Sequence, residues 1–139
     1  MAIFLNNKVG FKVAAVELSD HVTAFTLNRV SDQLEVTAMG DTAHKFVSGL
    51  SADTITVSFL NDTSAGSVLA TLQAAYGTTV AFEAVQDSDA AISATNVLYS
   101  GTILVDNLTD IAGTPADEAM IDITFTCNSK TATATTGTW

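Results

Sequence analysis

The chain holds a single cysteine, Cys127, and a single proline, Pro115. One thiol excludes an intrachain disulfide framework and a cysteine-based zinc site within one chain. Basic residues are scarce as well: Lys8, Lys12, Arg29, Lys45 and Lys130 lie dispersed among 15 acids, giving a net charge of −10. Tight nucleic-acid binding neutralises phosphates with clustered Lys and Arg, and this composition argues against it. Charged residues are only 14% of the chain, against roughly 25% in an ordinary soluble domain. So much neutral surface points to a protein partly covered by a partner in use. No apolar run approaches the roughly 20 residues of a membrane-spanning helix. The opening MAIFLNNKVGFK has neither the apolar core nor the small-residue cleavage site of a signal peptide. The expectation is a protein with no membrane role, assembled where it is made.

Catalytic signatures are missing too. The sequence contains no GxSxG, HExxH, HxH, GxGxxG or GxxxxGK[ST]. His21 follows Asp20 at the start of a strand pattern and His44 sits beside Lys45 in a loop; both read as ordinary exposed polar residues. A Ser–His–acid set is defined by geometry and stays open at this point. Cys127 falls on the apolar face of a strand, where a free cysteine is usually a small buried hydrophobe. The acid pairs Asp87/Asp89 and Asp117/Glu118 lie in turns, where carboxylates are normally solvated. No catalytic residue, metal ligand or cofactor is assigned, and the chain is not expected to be an enzyme.

What is present is alternation. Apolar residues make up 47% of the 139, enough for one core in one domain. In TITVSFLN, Ile55, Val57 and Phe59 share one face while Thr54, Thr56 and Ser58 share the other. MIDITFTC repeats the pattern with Ile121, Ile123, Phe125 and Cys127 against Asp122, Thr124 and Thr126. VLYSGTILV sets Val97, Tyr99, Ile103 and Val105 together, with Gly101 read as a bulge. Weaker versions occur in GFKVAAVEL, HVTAFTLN, LEVTAM and TTVAFEAV. About seven half-buried strands imply an antiparallel β-sandwich or partial barrel. SVLATLQAAYG breaks the pattern: Val68, Leu69, Leu72, Ala75 and Tyr76 recur at helical spacing, with Ser64 or Ser67 as N-cap and Gly77 as the stop. So short a helix must pack on a sheet to persist.

Residues 29–33 read as a polar turn, and 40–51 as an irregular loop of about twelve residues, where hairpin loops take about 2–5. Such length suits an interaction loop. The low-complexity tail, 128–139, is expected to be loose, with Trp139 available to dock. ADTITVSF and ADEAMIDITF echo each other as two strands of one type. Several acids, Glu17, Glu35, Glu83, Asp106 and Asp122, fall within or beside strands. Glu83 and Asp122 point away from the core stripe, as an ordinary wet face or as a surface shared in an assembly.

The stretch VELSDHVTAFTLNRVSDQLEVTAMGDTAHKFVSGLSADTITVSFLND, then SVLATLQAAYG and TTVAFEAV, resembles the major tail tube proteins of long-tailed (siphovirus-type) bacteriophages. YSGTILV and MIDITFTC extend the likeness, so that it covers residues 13–127. The resemblance implies a virion subunit with a tail-tube-like β domain and one short helix. Such subunits form homo-oligomeric rings, usually hexamers, stacked into a hollow conduit for the genome and assembled in the host cytoplasm. Its partners would be further copies of itself and the tape measure, terminator and initiator proteins, with DNA passing through unbound. The inter-ring loop would be Gly40, Asp41, Thr42, Ala43, His44, Lys45, Phe46, Val47, Ser48, Gly49, Leu50 and Ser51. Glu35, Glu83, Asp106 and Asp122 would be the lumen acids. Two other assignments compete: another virion part of related fold (a tail terminator, head–tail connector or capsid decoration protein), and a host- or glycan-binding β-sandwich.

Overall fold

The computed structural model describes residues 8–139; most of the stretch read for a leader, residues 1–7, lies outside the described residues. The fold is mainly β, with antiparallel sheets and one short helix, as the alternation requires. Its elements are β1 (Gly10–Val13), β2 (Val16–Glu17), a 3-10 turn (Ser19–His21), β3 (Val22–Asn28), β4 (Ser31–Glu35), β5 (Phe46–Ser51), β6 (Thr54–Leu60), α1 (Val68–Ala75), β7 (Thr79–Val85), β8 (Leu98–Leu104), β9 (Met120–Cys127) and β10 (Ala132–Ala134).

Eight strands form one sheet in the order β2-β1-β7-β8-β9-β6-β3, with β10 added to β8. The sheet folds over on itself at β8 and β9, which share only the pairs Ile103–Cys127 and Leu104–Thr126. Two layers result, β2-β1-β7-β8-β10 and β9-β6-β3, and the core lies between them.

The period-two pattern becomes a grid in the second layer. Directly opposed residues share a face, so register sets Val22–Phe59–Ile121, Phe25–Val57–Ile123 and Leu27–Ile55–Phe125 in three inward rows. Ile55, Val57, Phe59 and Phe125 are fully buried. The echo noted in the sequence is this pairing: β6 and β9 lie side by side. Across the core, β1 and β7 contribute Phe11, Val13, Phe82 and Ala84. The layers meet through aromatic rings, with Phe11 centred 5.0 Å from Phe25 and 6.3 Å from Phe59. Helix α1 closes one end with Val68, Leu69, Leu72 and Ala75.

Several local expectations change. Gly101 is not a bulge: β7 and β8 pair without a register break, and Gly101 lies opposite Phe82. A Cβ there would meet the Phe82 ring at 3.1 Å and Ser129 Oγ at 3.0 Å, so glycine answers to a close approach. The irregularities fall instead in β3, between Val22 and Ala24, and in β4, between Ser31 and Gln33. Tyr76 leaves the helical stripe and is exposed, because the chain turns extended there before Gly77 adopts φ +80°. Ser67 is the N-cap residue, although its side chain makes no capping bond. The lead-in is fixed instead by Asp62, which accepts from the Ser64 amide at 2.8 Å through its carboxylate and from the Leu69 amide at 3.1 Å through its carbonyl. The tail is partly built in: residues 132–134 pair with β8, and the Trp139 ring lies 4.3 Å from Lys12 Nζ, over Gly10.

Candidate assembly surface

The chain between β3 and β6 is where the sequence and the structure differ most. Residues 29–33 are not a turn, because β4 begins at Ser31; residues 40–51 are not one loop, because Phe46–Ser51 is strand β5. Together β4 and β5 form a separate two-stranded sheet. The reason is local. β3 and β6 are already a hairpin, and its ladder continues outward through Ala52 N–H to Val30 O at 2.6 Å. Gln33, Leu34 and Glu35 then pair with Ser48, Val47 and Phe46, and the Val36 amide donates to Lys45 O at 2.8 Å. Backbone hydrogen bonds sustain this arm without any core beneath it.

Every residue of β4 is exposed, and in β5 only Gly49 is half-buried. One face carries Leu34, Val36 and Val47, the other carries Phe46, and each of these is about half exposed. Leu50 is 80% exposed, and Met39 at the tip is fully so. The connecting segment is nonetheless organised. Asp41 accepts from the Ala38 amide at 2.8 Å and pairs with Lys45 at 2.7 Å, and Lys45 N–H reaches Thr37 Oγ1 at 3.0 Å. The Lys45 ammonium, then the Ala38 amide, holds the Asp41 carboxyl below the usual range. The arm is a built element with uncovered apolar side chains.

Its root is tied down by Asp53, a 3% exposed carboxylate that accepts from the Val30 amide at 3.1 Å and the Thr131 amide at 2.9 Å. Its main-chain oxygen takes the Cys127 amide at 3.0 Å. Burial opposes the charge, but donation from Thr131 and Val30, with the charge of Arg29, leaves the carboxyl below its ordinary pKa. In the sequence Asp53 is only an acid preceding an alternating strand, and nothing local announces this role. The partners lie 23 and 78 residues away.

A second feature flanks the arm. β3 ends the sheet, so its outer backbone edge is unpaired among the described residues. A cleft of about 680 Å³ follows that edge, with residues 22–27 on one side and Ala84, Val85, Gln86 and Tyr99 among its other lining. β3 carries no charge and no proline, the usual defences of an edge strand. The opposite edge, β2, is two residues long and sets Glu17 against Lys12.

The four acids named from the resemblance do not share one surface. Asp122 lies on the outward face of β9 and accepts Ser58 Oγ at 2.5 Å. Asp106 is exposed just after β8 and is tied to β9 through Asn107, which donates to Asp106 and to Thr124 O, both at 3.0 Å. Glu83 faces outward from β7 in the other layer, opposite Lys12 and Ser100. Glu35 belongs to the arm, 3.4 Å from His44. Around Asp122, register sets Ala24–Ser58–Asp122, Thr26–Thr56–Thr124 and Asn28–Thr54–Thr126 in three outward rows. This face of small hydroxyl and amide side chains has no Lys or Arg.

The remaining reactive groups are quiet. Cys127 is half-buried, and burial, then the charge of Asp53, pushes its thiol up to about 11. Such a thiol stays protonated and is a poor nucleophile. No three His, Cys, Asp or Glu side chains among the described residues group in a way that could hold a metal ion. No helix there is long and apolar enough to cross a membrane. The chain matches no protein-family model and no curated protein.

Proposed function

We propose that this chain is a structural virion subunit, a phage tail-tube protein that joins copies of itself into stacked rings. The observation that carries this reading is the β4–β5 arm, a hydrogen-bonded hairpin whose Leu34, Val36, Phe46, Val47 and Leu50 are left uncovered by their own chain. Exposed apolar groups gathered on one projecting element mark an interaction surface. A second copy would cover them, and the undefended edge of β3 offers ladder bonds to a neighbouring strand. A head-to-tail contact of this kind closes into a ring, and stacking leaves ends that elongate.

The arm, rather than an irregular loop, would reach the next ring. The rows around Asp122 supply a wall suited to passing DNA, because they hold hydroxyls, an amide and the one acid Asp122 but no phosphate-binding cation. Charge repulsion across about 8 Å at physiological salt matters in a narrow bore. Of the four acids, Asp106 and Asp122 fit this wall; Glu83 and Glu35 belong to other surfaces.

Electron microscopy of the purified protein at high concentration tests the reading. Rings or tubes of uniform bore are expected. Uniform monomers, even with tail initiator components added, would count against it.

A further inference from the structure

His21 closes the 3-10 turn that leads into β3, and both of its ring nitrogens face carboxylates. Nδ1 lies 2.8 Å from Asp20 Oδ1, and Nε2 lies 3.0 Å from Asp62 Oδ2. Asp20 is its neighbour in sequence. Asp62 stands 41 residues away, in the lead-in to α1. Among the described residues no other charged group pairs with this ring. β3, β6 and α1 contribute none, since VTAFTLN, TITVSFL and VLATLQAA are uncharged.

The chemistry of imidazole makes this arrangement specific. Carboxylates only accept, and a neutral ring has one N–H and one lone pair. A neutral His21 would therefore aim a lone pair at one of the two carboxylates, whereas the imidazolium donates to both. Hydrogen bonds with an ionised donor or acceptor are roughly twice as strong as neutral ones, and only the imidazolium can make two of them here. The Asp62 carboxylate has a second task, because its other oxygen takes the Ser64 amide at 2.8 Å.

We propose that His21 is a charge-operated clasp: as imidazolium it ties the start of β3 to the lead-in of α1, and loss of its proton weakens that tie. The device couples the edge strand that carries the arm to the helix that closes the core. The electrostatics agree in direction. The hydrogen bond to Asp20 contributes most to raising the His21 pKa, with smaller support from Asp62, and together they exceed the opposing effect of burial. Asp62 is itself held well below the carboxylate range, first by Ser64 and also by His21.

The sign follows. A histidine raised above its ordinary value of about 6.5 stabilises the fold fully below that pH and loses its contribution as pH climbs through the raised value. Asp62, being depressed, keeps its charge until pH falls below the ordinary carboxylate range. The clasp is therefore strongest in mildly acidic solution and weakens toward alkaline pH.

Nitrogen-15 NMR of the imidazoles gives the direct test, with His44→Gln used to assign the two rings. His21 should show a titration midpoint shifted upward from its ordinary value, with both nitrogens protonated below that midpoint. The protection of the Ser64 and Leu69 amides, relative to their intrinsic base-catalysed exchange at each pH, should fall several-fold as pH passes that midpoint. Asp62→Asn keeps an acceptor for the Ser64 amide but places a donor opposite Nε2. It should shift the midpoint down and favour the neutral ring protonated on Nδ1. Asp20→Asn should shift the midpoint down further. An ordinary midpoint, or protection at Ser64 and Leu69 indifferent to that titration, would overturn the proposal.

Discussion

The two-layer body and the β4–β5 arm are built from the same kind of strand, yet they end in opposite states. In β6, the apolar alternate residues Ile55, Val57 and Phe59 are fully buried; in the arm, Leu34, Val36 and Val47 are about half exposed. Both hairpins are held by ladders with a single irregularity, between Val22 and Ala24 in one and between Ser31 and Gln33 in the other. The difference lies in what faces the apolar stripe. The body supplies its own second layer, and the arm projects past it. Backbone pairing alone therefore holds an element in shape without burying it, and an apolar stripe held that way is complete only with a partner.

The sharpest break of this comparison is truncation of a core ring against an arm ring. Phe125→Ala should cost about 3–5 kcal/mol in urea unfolding, through lost burial and a cavity. Phe46→Ala should change the unfolding of the monomer by less than about 0.5 kcal/mol. Equal losses would mean that the arm belongs to the same cooperative core.

A middle-sized effect is expected at the junction between the two regions. Asp53→Ala leaves the Val30 and Thr131 amides without their acceptor, which should cost about 1–3 kcal/mol. Amide exchange should rise at the root of the arm and near residue 131 together, while the β6–β9 ladder stays protected. Because the Asp53 carboxyl is depressed, its contribution is present above the ordinary carboxylate pKa and lost as pH falls through the lowered value. The unfolding curve of Asp53→Ala should therefore depend less on acid pH than that of the parent chain. A parallel acid dependence would assign the effect to other carboxylates.

The smallest effects concern turns. Asp117 N–H bonds Thr114 O at 3.1 Å across Pro115–Ala116, with Ala116 at φ +64°. This is the turn position that glycine usually fills. Ala116→Gly relieves the left-handed strain but adds freedom to the unfolded chain, so a net gain of about 0.4–1 kcal/mol is the expected upper range. The same logic applies to Ala15, at φ +65° in the two-residue turn joining β1 and β2. A drop in melting temperature for both substitutions would refute the strain argument.

Strand identity in the body was legible because alternation maps one to one onto an inward and an outward face. Ile55 to Phe59 and Ile121 to Phe125 read correctly from spacing alone, and the helix from Val68 to Ala75 did so too. The arm was only partly legible as strand. Leu34 and Glu35 belong to the expected LEVTAM strand, but β4 runs Ser31–Glu35, and Ser31, Asp32 and Gln33 show no apolar alternation because periodicity detects burial rather than pairing. Its existence as a long, interaction-suited excursion inside a hairpin pattern was visible; the strand Phe46–Ser51 within it was not. Asp53, His21 and Asn96 were illegible for another reason. Their roles depend on partners brought in by the fold: Thr131 for Asp53 and Asp62 for His21. The Asn96 side chain pins the loop after β7 by donating to Asp87 O and accepting from its amide. No window of local sequence contains that information. The lumen acids show the converse limit, since alternation placed Glu83 and Asp122 outward but could not say that they lie on different layers.

Sedimentation velocity across a wide concentration range, comparing the parent chain with the triple variant Leu34→Ser, Val36→Ser, Val47→Ser, tests the role of the arm most directly. The parent should form larger species as concentration rises. The variant should remain monomeric while keeping the parent's circular dichroism and melting temperature. If the two sediment alike at every concentration, the apolar face of the arm is not the surface through which this chain assembles.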